Sequence, residues 1–187
     1  EGSPAEQVLA YGRKVVKDMV AADSELDASV FNVLIHAIAK APNGGMYTQQ
    51  AYALMQEHAT PDLFTFNILI DACRLRVPKP QRDLTPLARR RDREQPFTYE
   101  QAAGCFQAGM TVLRQMRDAG VAPDVVSYTT LVSMCSPVAE TGGVEGLRTC
   151  LSLLSSMERE GLIPNRLTFN SAIDVCAKAA GAGAPAD

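Results

Sequence analysis

The side chains best able to hold a metal or exchange electrons in this sequence are five cysteines, Cys73, Cys105, Cys135, Cys150 and Cys176, and two histidines, His36 and His58. No C-x-x-C pair occurs, and an odd number of scattered cysteines argues against both a disulfide framework and a zinc site. Two isolated histidines are too few for a histidine-based metal centre. The second chemical feature is charge. Between Arg74 and Glu94 stand eight basic residues, Arg74, Arg76, Lys79, Arg82, Arg89, Arg90, Arg91 and Arg93, against three acids. This segment carries about +5 and the remainder about −8, a basic arm on an acidic body. With Pro78, Pro80 and Pro86 and few apolar residues, the arm reads as a solvated loop. The other reading is a contact with RNA phosphates or an acidic protein that orders on binding.

Taken whole, the 187 residues hold 18 basic and 21 acidic side chains, a net charge of −3. A free-standing nucleic-acid binder is usually basic, because phosphate neutralisation supplies much of its affinity. Apolar residues make up 47%, enough for a packed core, yet no apolar stretch approaches the roughly 20 residues needed to cross a bilayer. The sequence opens on Glu1, and any targeting segment is expected to lie outside it.

The elements that must carry these residues emerge from an internal repeat. Leu26-Asp27-Ala28-Ser29-Val30-Phe31-Asn32 aligns with Pro61-Asp62-Leu63-Phe64-Thr65-Phe66-Asn67, with Pro123-Asp124-Val125-Val126-Ser127-Tyr128-Thr129 and with Pro164-Asn165-Arg166-Leu167-Thr168-Phe169-Asn170. The shared pattern is P-[DN]-x-x-[ST]-[FY]-[NT]-x-[LA]-[IV], and four chance occurrences in one chain are improbable. Successive aromatics lie 35, 62 and 41 residues apart. With 35 as the basal unit, the second copy carries 27 extra residues and the third six. Such insertions are expected in loops between helices, where a solenoid tolerates them.

Each unit reads as a helical hairpin. Ser29 and Thr65, N-terminal to the repeat aromatic or beside it, offer cap hydroxyls, and the preceding proline stops the previous helix. Phe66, Leu69, Ile70 and Cys73 follow the i, i+3, i+4, i+7 spacing of one apolar stripe. Turns are expected at Pro42-Asn43-Gly44-Gly45 and Thr141-Gly142-Gly143. Second helices then run to Met55, Met116 and Met157, with Met19 equivalent in an N-terminal half-unit. In the third unit Leu147, Cys150, Leu151, Leu154 and Met157 form the expected buried stripe, and Gly161 a C-cap. Thr98-Tyr99-Glu100-Gln101 has the form of a capping box. Cys73, Cys135 and Cys176 each fall seven residues after an aromatic, where the first unit has Ile38, so they read as buried packing positions. Cys105 and Cys150 fall on second helices and are expected to be buried as well, and the methionines are core filler.

This pattern, the unit length and the terminal methionine element resemble the pentatricopeptide repeat family. The tetratricopeptide unit would show a W-x₂-L-G-x₂-Y pattern, and the chain has no Trp. The resemblance implies an all-α fold, a right-handed α–α superhelix of helix-turn-helix repeats. It divides the chain into a second helix of a partial repeat (1–27), repeat 1 (28–62), and repeat 2 (63–124, basic insertion about 75–96). Repeat 3 (125–165, short insertion) and a first helix with a tail (166–187) follow. It also implies that each repeat contacts one RNA base through the residue after the aromatic and the last residue of the repeat. These pair Asn32 with Asp62, Asn67 with Asp124 and Thr129 with Asn165, and Asn170 begins a fourth pair. An amide and a carboxylate in fixed register can match donor and acceptor on one base edge. By the same resemblance Asn–Asp prefers U and Thr–Asn prefers A, so the chain would read U-U-A. Stacking positions fall on Phe64, Val126 and Leu167, while Ser29 departs from their apolar character.

Asn and Asp at these places are also good capping residues in a unit that never meets RNA. Two roles therefore stand side by side. One is an RNA binder acting in organellar RNA processing, stability or translation. The other is a scaffold subunit of a large organellar ribonucleoprotein, such as a mitochondrial or chloroplast ribosome, contacting ribosomal RNA and neighbouring protein subunits. The acidic body and the two insertions favour the scaffold more than a generic repeat would. Further repeats or another subunit are expected to cover the terminal faces. An enzyme is not expected, since no Asp cluster, H-x-E or C-x-x-C element is present. Neither a cofactor nor a small-molecule substrate is implied.

Overall fold

The computed structural model describes residues 3–41, 47–75 and 98–182. The turn expected at Pro42-Asn43-Gly44-Gly45 and most of the basic arm, residues 76–97, lie outside the described residues. Among those described, eight α-helices and no strands occur: α1 (Pro4–Ala21), α2 (Ala28–Lys40), α3 (Thr48–Gln56), α4 (Leu63–Leu75), α5 (Tyr99–Asp118), α6 (Val125–Gly142), α7 (Val144–Arg159) and α8 (Arg166–Ala182). The first helices α2, α4, α6 and α8 pack on one another in that order. Helices α3, α5 and α7 pair back onto α2, α4 and α6, and α1, α5 and α7 also touch the first helix that follows them. The chain is an α–α solenoid.

Its core is the repeated stripe. Phe31, Phe66 and Tyr128 are buried, as are Ile35, Ile70 and Val132 four residues on and Ile38, Cys73 and Cys135 seven residues on. Met55, Met116 and Met157 meet them from the second helices, all fully buried. Truncating one of the three aromatics to Ala would cost about 3–5 kcal/mol. The register of these methionines follows from how the helices stop. In α7, Leu162 N–H donates to Met157 O at 2.9 Å and Gly161 N–H to Glu158 O at 3.0 Å. Gly161 adopts φ +71°, a left-handed conformation that glycine takes without a Cβ penalty. Helix α5 ends identically around Met116 and Gly120, and α1 around Met19, with Asp23 at φ +52°. In α1, α5 and α7 the methionine carbonyl thus accepts the N–H five residues on, whereas at Met55 it accepts those of His58 and Ala59.

Four expectations need correction. Cys176 is exposed, together with Phe169 and Ile173 on the same helix, because no second helix covers α8 among the described residues. Cys73, Cys135 and Cys150 are buried as expected, and Cys105 is half-buried. The six extra residues of the third unit do not form a loop. The helices are longer instead: α6 has 18 residues against 13 in α2 and α4, and α7 has 16 against 9 in α3, so Thr141 and Gly142 are helical and Gly143 alone makes the turn. In α7, Leu151 is exposed, and Leu153, one position off the predicted stripe, is buried beside Cys150 and Met157. Finally, α2 and α4 are capped by carboxylates rather than by Ser29 or Thr65. Asp27 Oδ1 accepts the N–H groups of Ser29 and Val30, and Asp62 Oδ1 accepts that of Thr65. The capping box at Thr98 and Gln101 is present, with both of its hydrogen bonds formed.

The third unit is tied most heavily. Tyr128 Oη donates to Glu160 Oε1 at 2.7 Å, and Arg117 Nη2 reaches both groups, which joins α5, α6 and the end of α7. Burial, with the Glu160 hydrogen bond second, pushes the Tyr128 phenol up to about 12. Gly146 lies so close to α6 that an added Cβ would sit 2.4 Å from the Ala139 backbone nitrogen. Replacing Gly146 by Ala should therefore destabilise the chain by about 1–3 kcal/mol in urea unfolding, since backbone cannot give way as a side chain can. A change below a few tenths of a kcal/mol would contradict this close approach. Thiols offer a second check. Burial, and after it Cys176, raise the Cys150 thiol to about 11, and burial pushes Cys135 higher still. A thiolate-directed reagent at pH 8 should modify Cys176 in the native chain, whereas Cys73, Cys135 and Cys150 should react only on unfolding.

Candidate nucleic-acid interface

The N-terminal ends of the first helices bring the paired residues together. Asp62 caps α4, and its Oδ1 accepts both the Thr65 N–H at 2.8 Å and the Asn32 Nδ2–H at 3.1 Å from the neighbouring α2. The Thr65 hydroxyl lies 2.8 Å from Asn32 Oδ1 and accepts the Asp62 N–H at 3.1 Å. The next unit repeats this arrangement. Asn67 Nδ2 donates to Asp124 Oδ1 at 3.3 Å, Ser127 N–H donates to the same oxygen at 2.8 Å, and the Ser127 hydroxyl reaches Asn67 Oδ1 at 2.6 Å. One carboxylate thus serves as helix cap and as partner for the amide of the previous unit. A negative group there is also favoured by the helix dipole.

The third pair is assembled differently. Thr129 is only 6% exposed, and its hydroxyl meets that of Thr168 at 2.7 Å. Asn165 Oδ1 accepts the Thr168 N–H at 2.9 Å and lies 3.1 Å from the Thr168 hydroxyl. Thr129 and Asn165 are therefore linked through Thr168. Asn170 is exposed on α8. Beside these clusters the side chains of Phe64, Val126 and Leu167 stand 70%, 55% and 63% exposed, an apolar row at the same helix ends, and Ser29 is exposed at the matching position of α2.

Of the basic residues, Arg74 is described, and its guanidinium is engaged by Asp71, with Nη2 at 2.6 Å. Arg76, Lys79, Arg82, Arg89, Arg90, Arg91 and Arg93 lie outside the described residues. At the far ends of the first helices, α6 and α8 are joined by Ser136 to Asp174 at 2.5 Å and by a Glu140–Lys178 ion pair. Among the described residues no group of three His, Cys, Asp or Glu side chains is placed to hold a metal ion, and no helix is long and apolar enough to cross a membrane.

The sequence pairs anticipated the Asn and Asp members but not Thr65, Ser127 and Thr168, which complete each cluster. Their signal was present as the hydroxyl residue three positions after the capping Asp or Asn, the spacing of a capping box.

Helical hairpins stacked in this way, with a polar cluster at each first-helix N-terminus, define a repeat solenoid. The sequence profile of the pentatricopeptide repeat domain matches residues 14–74 and 111–179, more than half of the chain, and the chain belongs to the pentatricopeptide repeat family. Over 78 residues it is 35% identical to a pentatricopeptide repeat-containing protein of Arabidopsis thaliana described as chloroplastic, a match covering 41% of this chain and 14% of that protein. Among solved structures, 94% of the chain overlays 28% of the pentatricopeptide repeat protein PPR10 in complex with an 18-nucleotide psaJ RNA element, at 21% identity and a TM-score of 0.38. A triple cysteine-to-serine variant of that complex gives the same values.

The clamp has a pH signature. Burial opposes ionisation of Asp62, but the Thr65 N–H, the Thr65 hydroxyl and the Asn32 amide outweigh it and hold the carboxyl below its ordinary value of 3.8. A carboxyl depressed in the fold contributes stability that is present above its unfolded value and lost as pH falls through its folded value. The stability gap between wild type and Asp62→Asn should thus be about 0.5–1 kcal/mol at neutral pH and close on acidification below that range. A gap that is constant from pH 7 to pH 3 would show that the charge contributes nothing.

Proposed function

We propose that the chain is an RNA-binding segment of a pentatricopeptide repeat protein, reading single-stranded RNA one base per repeat. The observation that carries this reading is the recurrence of one clamp, Asn32–Asp62 and Asn67–Asp124, beside exposed apolar side chains suited to base stacking. In each clamp one amide N–H and the second carboxylate oxygen are outside the internal hydrogen bonds, a donor next to an acceptor. Uracil offers the complement, a carbonyl next to the N3–H. On this basis the two Asn–Asp units select U; by the family resemblance alone Thr129 with Asn165 selects A, and the preferred strand is U-U-A. Base contacts supplying ~1–3 kcal/mol each over three units give only modest affinity. Phosphate contacts from Arg76, Lys79, Arg82, Arg89, Arg90, Arg91 and Arg93 would add to it. The setting we propose is an organelle, mitochondrion or chloroplast, and processing, stability or translation of RNA there.

Scaffold use within a large organellar ribonucleoprotein is favoured by a specific set of observations. The chain is net acidic, and Arg74 and Lys178 are ion-paired on the first-helix layer, which weakens the electrostatic term of free RNA binding. Exchange of one reader separates the two. Asn67→Thr should change base preference at one position of a bound single strand, measured by anisotropy with oligonucleotides varied singly, and leave the other positions unaltered. An unchanged profile would leave the scaffold as the better account.

A further inference from the structure

We infer that the buried hydroxyls of Thr65 and Ser127 are positioning residues that fix which way round each reading amide presents its donor, and so set the choice between U and C. This rests on the base-reading proposal above and adds to it a residue from the following repeat.

Asp62 Oδ1 takes the Thr65 N–H and one Asn32 N–H, which occupies its acceptor directions. Thr65 Oγ1 takes the Asp62 N–H, and its single proton faces two acceptors at 2.8 Å, Asn32 Oδ1 and Asp62 Oδ1. In either case the amide keeps its nitrogen toward the carboxylate and its oxygen toward the hydroxyl. Turning the amide over would set its oxygen against the carboxylate oxygen and take its acceptor away from the hydroxyl proton. Thr65 and Ser127 are both fully buried, so water does not substitute for the hydroxyl. Ser127 closes the same ring on Asn67 and Asp124: its hydroxyl stands nearer Asn67 Oδ1, at 2.6 Å, than Asp124 Oδ1, at 2.9 Å, and takes the Asp124 N–H at 3.3 Å.

The consequence concerns order. With the amide held nitrogen-toward-carboxylate, the open donor and the open acceptor stand in one sequence across the clamp. Uracil presents O4 and N3–H as acceptor then donor, whereas cytosine presents N4–H and N3 as donor then acceptor. An amide free to turn over would match either. Each repeat's selectivity therefore depends on a side chain 33 residues after its reader in the first clamp and 60 residues after it in the second, across the insertion. Thr168 occupies the same place in the third unit, where its hydroxyl links Thr129 to Asn165.

Ser127 gives the cleaner test, because Phe64 and Val126 flank its unit. The full chain would be prepared as wild type, Ser127→Ala and Ser127→Thr, with helicity checked by circular dichroism. In ¹⁵N-correlated NMR spectra, Ser127→Ala should shift the Asn67 side-chain amide pair and leave that of Asn32 in place. Titration with U-U-A and U-C-A oligonucleotides should show the wild-type preference for central U falling about fivefold in Ser127→Ala, the weight of one hydrogen bond. Ser127→Thr should keep both the amide signals and the preference. A folded Ser127→Ala chain with unmoved Asn67 signals, or one that loses affinity for both strands equally, overturns the positioning role. Equal binding of the two strands by wild type overturns the base-reading proposal itself, and the specificity role with it.

Discussion

A hairpin of two short helices cannot bury its own apolar stripe, and every other feature of this chain follows from that constraint. Phe31, Phe66 and Tyr128 reach full burial only because each first helix is covered by its own second helix and by the first helix of the next unit. Helix α8 shows the alternative within the same chain. It carries the same stripe, and Phe169, Ile173 and Cys176 are exposed on it because the covering helix is not among the described residues. Side-by-side stacking of first helices then sets their N-terminal ends next to one another at a fixed offset. That offset lets one carboxylate cap its own helix and hold the amide of its neighbour.

The clamp therefore couples stability and the proposed function through the same atoms. Removing an N-cap carboxylate costs ~1 kcal/mol, a small loss beside the ~3–5 kcal/mol of an aromatic truncated in the core. The cap is thus affordable to vary while the stripe is not. Units can differ at Asn67 and Thr129, or at Asp124 and Asn165, without disturbing the packing that places them. The long α6, held to α8 by Thr129–Thr168, Ser136–Asp174 and Glu140–Lys178, and to α5 and α7 through Tyr128, Arg117 and Glu160, carries several polar ties to its neighbours. Base contacts there would meet a preorganised surface, at lower entropic cost than at a loose one.

Much of this was legible in the residues, and the failures have physical reasons. Four copies of one pattern gave the unit, the helix pairing and the buried aromatic, since a periodic stripe has only one way to face inward. Met55, Met116 and Met157 were read correctly as core near the helix ends and Gly161 as a C-cap, while Met19 is half-buried and the equivalent left-handed stops at Asp23 and Gly120 were not seen. Cys176 matched Cys73 and Cys135 by position, yet position does not say whether a covering helix follows. The short insertion was assigned to a loop, although Thr141 and Gly142 simply continue α6 past Pro137. The hydroxyl of Thr65 was taken as a cap in its own right, and that of Ser127 was given no role. Their spacing from the capping Asp was visible, but their contact with Asn32 and Asn67 needs two helices brought together in space.

The central claim is that the N-terminal edge of the first-helix layer is where RNA meets this chain. The most direct measurement is photo-crosslinking of a U-U-A strand containing 4-thiouridine to the full chain, with the crosslinked residues identified by mass spectrometry. Crosslinks at Phe64, Val126 and Leu167 and their immediate neighbours are the predicted result. Crosslinks confined to the outer faces of α1, α5 and α7, or to residues 74–94 alone, would contradict it.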